Sequence, residues 1–448
     1  MRNPRSFSIL SILVFSLLTA TAASAATYYV DDSGSNSNPG TLASPFRTIT
    51  YGLTVIDGPG DVLYVRGGTY NERVVVWDKH GTSTSGIYIA GYNSELPVID
   101  GTGIGPHSTV SLNESSYVTF DGFKVQNSPD TAILVWDAHH INVKYCTVQT
   151  AFSGGIQAGS DTVGGTHDVL FKGNVVRDTV RENAPGTNLT SGWQQAMSCW
   201  KSNNVTFTEN WVYENYGEGI DCIVSDNCTI TKNNLWDNKG AHIYLDNAQY
   251  ALVDRNYIYN SGDTEYYRDS EPSPGIAIAN EWYDVQNPVT NLTITNNIVH
   301  RTLSGLVYWN SQYAGGLHYT LIANNTFYHS HSSAARLIYI EADNHDTTTV
   351  ENNIFYQRTG VGYAWAPTTG FTWRTNNWYG GTSGTQITGV GDVTSNPLLV
   401  SAGGWSATDY KLTSTSPVKT AGTTNSSVTT DYWGTARTAS YSIGAHEY

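Results

Sequence analysis

A short segment recurs through the middle of the chain, and the distance between copies is never below 23 residues. Each copy has an apolar residue, two spacers, usually an asparagine and then two mostly apolar residues. Copies with the asparagine begin at Phe171, Phe207, Ile230, Val253, Ile294, Ile322 and Val350, and two without it begin at Phe120 and Val143. Successive starts are separated by 23, 28, 36, 23, 23, 41, 28 and 28 residues. A fixed minimum with variable excess is typical of a solenoid whose coils carry loop insertions.

Each copy alternates with the two-residue period of a β-strand. A second strand follows, and its inward residue is expected at Ile133, Ile156, Met197, Ile220, Ile243, Ile276, Val307 and Ile338. In five of these eight coils it lies 10 residues after the asparagine position, which leaves no room for helices between strands. The aligned asparagines should hydrogen-bond to one another as a ladder. We therefore predict an all-β, single-domain parallel β-helix.

Both ends of the chain carry segments known from one superfamily. The segments starting Tyr28-Tyr-Val-Asp-Asp, Ser44-Pro-Phe-Arg and Gly60-Asp-Val-Leu-Tyr, and the closing Asp431-Tyr-Trp-Gly and Ile443-Gly-Ala-His-Glu-Tyr, resemble secreted pectate-lyase-like right-handed β-helix proteins. The resemblance covers nearly the whole mature chain and implies a right-handed solenoid. It does not select a reaction, because the superfamily includes lyases, hydrolases, epimerases and non-enzymatic adhesins.

The N-terminus has the pattern of a signal peptide, with Arg2 and Arg5 before an apolar run and Ala25 at a small-residue cleavage site. We expect a secreted protein, extracellular or periplasmic. The predicted organisation is a signal peptide over 1–25, N-terminal capping coils over 26–118, regular coils with the asparagine ladder over 119–375 and a closing segment over 376–448.

The charge balance limits the partners. A net charge of −15, from 23 basic and 38 acidic residues, argues against nucleic acid and membrane surfaces. No CxxC spacing is present among the four cysteines, so we expect no metal. A disulfide between Cys222 and either Cys199 or Cys228 stays open, as do free thiols. A monomer without cofactor is expected.

Two insertions indicate where a site should lie. The link from Asn174 to Met197 is 23 residues, an excess of 13 over the usual 10, and that from Asn256 to Ile276 is 20, an excess of 10. Both leave the solenoid at the same corner, and two minimal coils lie between them. Two short coils between two tall walls predict a trough suited to an extended chain.

Acidic side chains should line the floor of this trough. Alternation along the second strand places Asp221 and Asp246 outwards on adjacent coils, with Cα atoms ~8 Å apart. Glycosidases use two carboxyl groups ~5 to ~9.5 Å apart, one as acid and one as base or nucleophile. The predicted catalytic residues are Glu218, Asp221, Asp246, Glu281 and His242. The predicted substrate-binding residues are Tyr244, Trp200, Trp193, Arg268, Trp282, Tyr308 and Asn310.

Three functions remain open from the sequence. A glycoside hydrolase would use a pair of these acids on a polysaccharide or oligosaccharide. A polysaccharide lyase would need a base, such as His242 or Tyr244, and Ca²⁺ or an arginine to neutralise the uronate. A non-catalytic carbohydrate-binding or surface protein would need only the aromatic residues. The sparse basic residues on the floor favour the hydrolase.

Overall fold

The computed structural model describes residues 25–187, 193–285, 288–310, 315–332, 335–382, 387 and 389–448. The predicted signal peptide, apart from Ala25, lies outside these residues. Over the described part of the chain, three parallel sheets of 13, 11 and 12 strands run along a β-helix, and each coil contributes one strand to each sheet. The predicted all-β solenoid is confirmed.

The 13-stranded sheet consists of Thr27–Val30, Val62–Val65, Ile87–Gly91, Ser116–Asp121, His139–Lys144, Thr166–Lys172, Ser202–Thr208, Thr229–Thr231, Leu252–Asp254, Thr293–Thr295, Leu321–Ala323, Thr348–Glu351 and Phe371–Arg374. The 12-stranded sheet consists of Thr69–Tyr70, Val98–Asp100, Lys124–Ser128, Thr147–Ala151, Val175–Arg177, Trp211–Asn215, Asn234–Asn238, Tyr257–Tyr259, Ile298–His300, Thr326–Tyr328, Ile354–Tyr356 and Asn377–Tyr379.

The 11-stranded sheet is called the site sheet below. It consists of Val74–Trp77, Val110–Asn113, Ile133–Trp136, Ile156–Gly159, Gln195–Trp200, Glu218–Ile223, Ile243–Asp246, Ile276–Ala279, Leu306–Trp309, Ile338–Ile340 and Ala364–Trp365. The described helical segments are the α-helix Ile49–Val55 and the 3₁₀ turns Tyr92–Ser94, Arg181–Asn183, Thr264–Tyr266 and Ala407–Tyr410. No helix in the described ranges is long and apolar enough to cross a membrane.

Stacked apolar side chains fill the interior, because every second strand residue points inwards and meets its counterpart on the next coil. Phe171 and Phe207, for example, lie one above the other with ring centroids 5.3 Å apart. The corner between the 13- and 12-stranded sheets is a tight turn, in which the residue before each ladder asparagine has a left-handed backbone, as at Glu209 with φ 59°.

The asparagine ladder is confirmed. The side-chain amide of Asn210 donates to Asn233 Oδ1 at 3.0 Å, and Asn233 repeats the contact with Asn256 at 3.0 Å. The same oxygens also accept from the backbone N–H of the preceding asparagine. Each asparagine thus satisfies polar groups that the turn would leave buried without a partner. The ladder runs through Asn174, Asn210, Asn233, Asn256, Asn297, Asn325, Asn353 and Asn376.

Candidate active site

The two minimal coils place their strands side by side in the site sheet, as the sequence predicts. Asp221 pairs with Tyr244, and Ile223 pairs with Asp246. Asp221 and Asp246 are therefore one coil and two residues apart, and both side chains lie on the outer face. The cysteine pair Cys199 and Cys222 faces inwards behind them in matching register.

The two insertions form walls that contact each other above these strands. The guanidinium carbon of Arg268, in the second insertion, lies 3.6 Å from the ring centroid of Trp193, in the first. Lower down, Tyr266 packs against Tyr216, whose hydroxyl donates to Glu265. The predicted trough is thus bridged, and at its centre the site is a pocket.

A third wall, which the sequence analysis missed, follows the strand Ile276–Ala279. The link from Ile276 to Ile294 is 18 residues, whereas that from Ile220 to Ile230 is 10, so an excess of 8 gave the signal. The link folds back over the floor. Tyr283 meets Trp200 edge to face at 5.2 Å, and Asp284 pairs with Lys201 at 2.9 Å.

The walls enclose a cavity of about 480 Å³, called the acidic cleft below. The four predicted catalytic carboxylic acids all line it: Glu218, Asp221, Asp246 and Glu281. Other lining residues named as candidates are Tyr244, Trp193 and Arg268, and Gln195, Lys239, Tyr283 and Trp309 complete the polar and aromatic surface. Residues from four strands of the site sheet and from all three insertions therefore line one cavity.

Glu218 and Asp221 share a hydrogen bond between their carboxyl groups, with Glu218 as the acceptor. Burial raises the pKa of Glu218 to about 7, although the bond from Asp221 and a second, 3.2 Å, from the Gln195 amide oppose the rise. Burial and the negative charge of Glu218 raise the pKa of Asp221 well above its usual value. The pair therefore holds a proton at neutral pH.

Asp246 is the second acid that burial keeps protonated. Burial, and then the charge of Glu281, raise the pKa of Asp246 to about 8. The Tyr283 hydroxyl donates to Asp246 Oδ2, while Oδ1 has no hydrogen-bond partner among the described residues. Glu281 accepts a hydrogen bond of 2.7 Å from the Tyr244 hydroxyl. The cleft thus combines Asp246 and the Glu218–Asp221 pair, in which burial favours the protonated form, with Glu281, which accepts from Tyr244.

Two further cavities continue the acidic cleft along the site sheet. One of about 340 Å³ shares Trp193, Gln195 and Tyr283 with the cleft and extends over Trp136 and Trp200. The other, of about 350 Å³, shares Glu271, Pro274 and Trp309 and extends over Tyr339. Together they make a groove along the solenoid with indole and phenol rings on both sides of the acids.

The predicted outward position of His242 on the floor of the trough is wrong. The side chain is fully buried, its Nδ1 donates to the Pro274 carbonyl at 3.0 Å, and it does not line the cleft. The strand begins only at Ile243, so alternation does not apply to the preceding corner. On the preceding coil, the equivalent position is Gly219. A Cβ at Gly219 would lie 2.2 Å from the His242 carbonyl oxygen, so this corner is too tight for a side chain there.

The prediction for Tyr308 is also wrong, because the register was misplaced by one residue. Leu306, not Val307, pairs with Ile276, so Tyr308 points into the core and Trp309 takes the outer position. The link from the ladder asparagine to Leu306 is one residue shorter than the corresponding link in the minimal coils.

Two other predicted substrate-binding residues lie outside the cleft. Asn310 follows the strand end, and its amide donates to the Ala342 carbonyl at 2.7 Å. Trp282 is 61% exposed and does not line the cleft. Trp200 lines the neighbouring cavity, as expected of an outward residue.

The open cysteine pairing is resolved in favour of Cys222 and Cys228. Cys199 is a buried free thiol whose Sγ lies 3.3 Å from that of Cys228. Among the described residues, the acids of the cleft do not form a group of three ligands within 4.8 Å of one another.

Fold and cleft together define a parallel β-helix with an acidic groove on one sheet. A family model described as "Pel9A-like, right handed beta helix region" matches residues 28–251, half of the chain, and a right-handed β-helix model matches 186–317. The chain therefore belongs to the Pel9A-like right-handed β-helix family. No curated protein sequence matches it.

Three solved structures show the same fold at low identity. Pectate lyase Pel9A is 15% identical, with a TM-score of 0.56 over 94% of this chain and 96% of that one. The complex of XylC with xylose is 12% identical, with a TM-score of 0.61 over 94% and 98%. The GH136 lacto-N-biosidase from Eubacterium ramulus is 15% identical, with a TM-score of 0.50 over 78% and 67%. At these identities the likeness establishes the fold alone.

Proposed function

We propose that this protein is a secreted glycoside hydrolase that cleaves a polysaccharide or oligosaccharide in the acidic cleft. The observation that carries the proposal is the meeting of Glu218, Asp221 and Asp246 in one buried cleft. Glycoside hydrolysis requires a carboxylic acid that protonates the leaving oxygen and a carboxylate that acts as base or nucleophile. Burial keeps the proton on Asp246, which supplies the carboxylic acid. The hydrogen bonds to Glu218 favour its ionised form, which supplies the carboxylate.

Asp246 is the proposed general acid. Its pKa of about 8 keeps the proton in place at neutral pH, where an ordinary aspartate would be ionised. The hydroxyl of Tyr283 donates to Oδ2 and fixes the orientation of the carboxyl group. The proton would pass to the glycosidic oxygen as the bond between that oxygen and the anomeric carbon breaks.

Glu218 is the proposed base or nucleophile. Its pKa is about 7, and hydrogen bonds from Asp221 and Gln195, together with the charge of Arg268, favour its ionised form. Asp221, whose pKa is raised well above the usual value, then serves as the donor that holds the Glu218 carboxylate in position. Glu281, fixed by Tyr244, adds negative charge opposite a developing oxocarbenium ion.

The groove favours a chain of several sugars as substrate. Trp193 is 41% exposed beside the acids. Trp136 and Trp200 lie in the same register of the site sheet, two coils apart, with Gly159 between them. Indole faces stack on the apolar faces of pyranose rings. The Trp136 ring lies over Gly159, where a Cβ would approach it to 2.5 Å, so the glycine makes room for the ring.

One observation favours β-elimination as the second candidate. Lys239 and Arg268 both line the cleft, and a lyase needs a base and a cation beside the uronate carboxylate. However, Lys239 Nζ already donates to the Asn183 carbonyl at 2.9 Å, and His242 lies outside the cleft. Loss of this reaction with a chelator would indicate Ca²⁺ as the cation beside the uronate, and its persistence would indicate Arg268.

Incubation of the purified protein with a panel of neutral and uronate-containing glycans tests the proposal. We expect new reducing ends without ultraviolet absorbance from an unsaturated uronate, and no effect of a chelator. Absorbance that appears with the reducing ends would identify a lyase, with or without an effect of the chelator. No product on any glycan, together with binding that survives in Asp246→Asn, would identify a binding protein.

A further inference from the structure

Three histidines lie together on the 13-stranded sheet, away from the acidic cleft. The strands His139–Lys144 and Thr166–Lys172 are neighbours, with His139 opposite His167. Their imidazole rings stack with centroids 4.8 Å apart and planes 5° apart. His140, the next residue in the chain, approaches the same pair.

A backbone irregularity brings consecutive residues to one side of the sheet. His140 and Asp168 have left-handed φ values of 55° and 54°, and both are left out of the pairing register between their strands. The usual alternation is interrupted there. As a result, Nδ1 of His139 lies 2.9 Å from Nδ1 of His140, although neighbouring strand residues ordinarily face opposite sides.

Asp168 supports the cluster through hydrogen bonds. Its Oδ2 lies 2.8 Å from His167 Nδ1 and 3.7 Å from His140 Nε2. The side-chain amide of Asn204, on the following coil, donates to the other carboxylate oxygen. On the far side, the ring of Tyr117 stacks on His140 at 4.3 Å. His140 is thus held by residues of the two neighbouring coils, and His167 by the next residue in its own strand.

We propose that His139, His140 and His167 form a binding site for a divalent transition-metal ion of the Zn²⁺ type. One ligand nitrogen from each lies within 4.8 Å of the others. A tetrahedral zinc site with bonds of ~2.05 Å places its ligand atoms ~3.3 Å apart, a distance that side-chain rotation at a surface can reach. Imidazole is a preferred ligand of Zn²⁺, Cu²⁺ and Ni²⁺.

The exposure of the histidines and the negative charge of Asp168 favour a bound ion that keeps one coordination position open to solvent. The side chains of His140 and His167 are each 38% exposed, so that an ion and a water molecule can reach them. Asp168 is a positioning residue, because a carboxylate that accepts from a ligand imidazole fixes its tautomer and orientation. The expectation that the protein holds no metal rested on cysteine spacing alone, which gives no information about this cluster.

A bound ion would join two adjacent coils of the solenoid. It would stabilise the folded chain, because the unfolded chain does not bring the three histidines together. The effect is independent of the proposed glycosidase, since the cluster and the cleft lie on different sheets.

Titration of untagged, chelator-treated protein with Zn²⁺ in a calorimeter tests the proposal, and Co²⁺ absorbance gives a second readout. We expect one equivalent of Zn²⁺ to bind, a visible Co²⁺ band typical of a four-coordinate site, and a higher melting temperature with Zn²⁺. His139→Ala and His167→Ala should each weaken binding at least about tenfold, and Asp168→Asn about tenfold.

His331→Ala is the matched control, because His331 is also 38% exposed and lies 3.7 Å from a carboxylate, that of Glu271. It should bind Zn²⁺ as the wild type does. The proposal is overturned if the wild type shows neither heat of binding nor a Co²⁺ band. It is equally overturned if His139→Ala and His167→Ala, with unchanged circular dichroism, bind Zn²⁺ as tightly as His331→Ala.

Discussion

Arg268 lies over the indole ring of Trp193, with 3.6 Å between the guanidinium carbon and the ring centroid. The contact joins the two long insertions directly above the carboxyl groups of the cleft. Both residues line the cleft and are exposed enough to touch a ligand, Trp193 by 41% and the Arg268 side chain by 51%. The packing of the two insertions against each other therefore influences how a substrate enters the cleft.

Replacement of Arg268 by alanine should weaken substrate binding more than turnover. A cation–π contact contributes about 0.5–2 kcal/mol, so we expect KM to rise about 2- to 30-fold. The decrease in kcat should be smaller, although the charge of Arg268 also favours the ionised form of Glu218. Steady-state kinetics on the glycan identified in the panel measures both. Arg301→Ala is the control, because Arg301 covers Trp405 in the same way, at 3.8 Å, outside the cleft. Equal effects of the two variants would contradict a role for Arg268 at the substrate.

Asp246→Asn should abolish turnover while the protein stays folded. An asparagine keeps the shape and the bond to Tyr283 but cannot transfer a proton, so kcat should fall about 10²- to 10⁴-fold. Asp263→Asn makes the same chemical change at an exposed turn, where asparagine can still cap the segment Thr264–Tyr266, and should be fully active. An active Asp246→Asn enzyme would remove Asp246 from the mechanism.

The same substitution should make stability less dependent on pH. The unfolded chain releases the Asp246 proton near pH 4, whereas the folded chain holds it up to about pH 8. The folded state therefore binds more protons between these values, and the stability from Asp246 is lost as pH rises through this window. We expect the unfolding free energy of the wild type to fall by about 3–4 kcal/mol more than that of Asp246→Asn between pH 5 and pH 8. Parallel pH curves from urea unfolding would contradict this.

Ionisation of Asp246 should also reduce the activity of the enzyme at alkaline pH. Because the pKa of Asp246 is about 8, kcat/KM should decrease above that pH. A pH–rate profile measures the alkaline limb, and Tyr283→Phe tests its assignment. The Tyr283 hydroxyl favours the ionised form of Asp246, so its removal should move the limb to higher pH. A limb that stays in place would assign the ionisation to another group.

The repeat predicted the solenoid because strand alternation and coil stacking are local rules applied many times. The positions of Asp221 and Asp246 followed from the same rules, since both lie within regular strands of minimal coils. Strand alternation and coil stacking did not predict side-chain positions at the corners between strands. His242 precedes its strand, and a link one residue shorter reversed the orientation of Tyr308.

Features that depend on irregular backbone could not be predicted from the sequence. Alternation cannot place His139 and His140 on one side, because that requires a left-handed residue within the strand. Nor does loop length specify that Arg268 reaches Trp193, since that contact depends on how two insertions pack against each other. Such geometry is set by tertiary contacts, which neither strand alternation nor loop length specifies.

Asn233→Ala should destabilise the solenoid strongly. Its side chain accepts from the backbone N–H and the amide of Asn210, at 2.9 and 3.0 Å, and donates to the Phe207 carbonyl at 3.0 Å. Alanine leaves these buried groups without partners, at a cost of about 2–4 kcal/mol. Asn142→Ala is the control, because that half-buried amide donates to one threonine hydroxyl on the outer face and should change the unfolding free energy by less than about 1 kcal/mol. Urea denaturation compares the two, and equal losses would show that the ladder contributes no more than a surface contact.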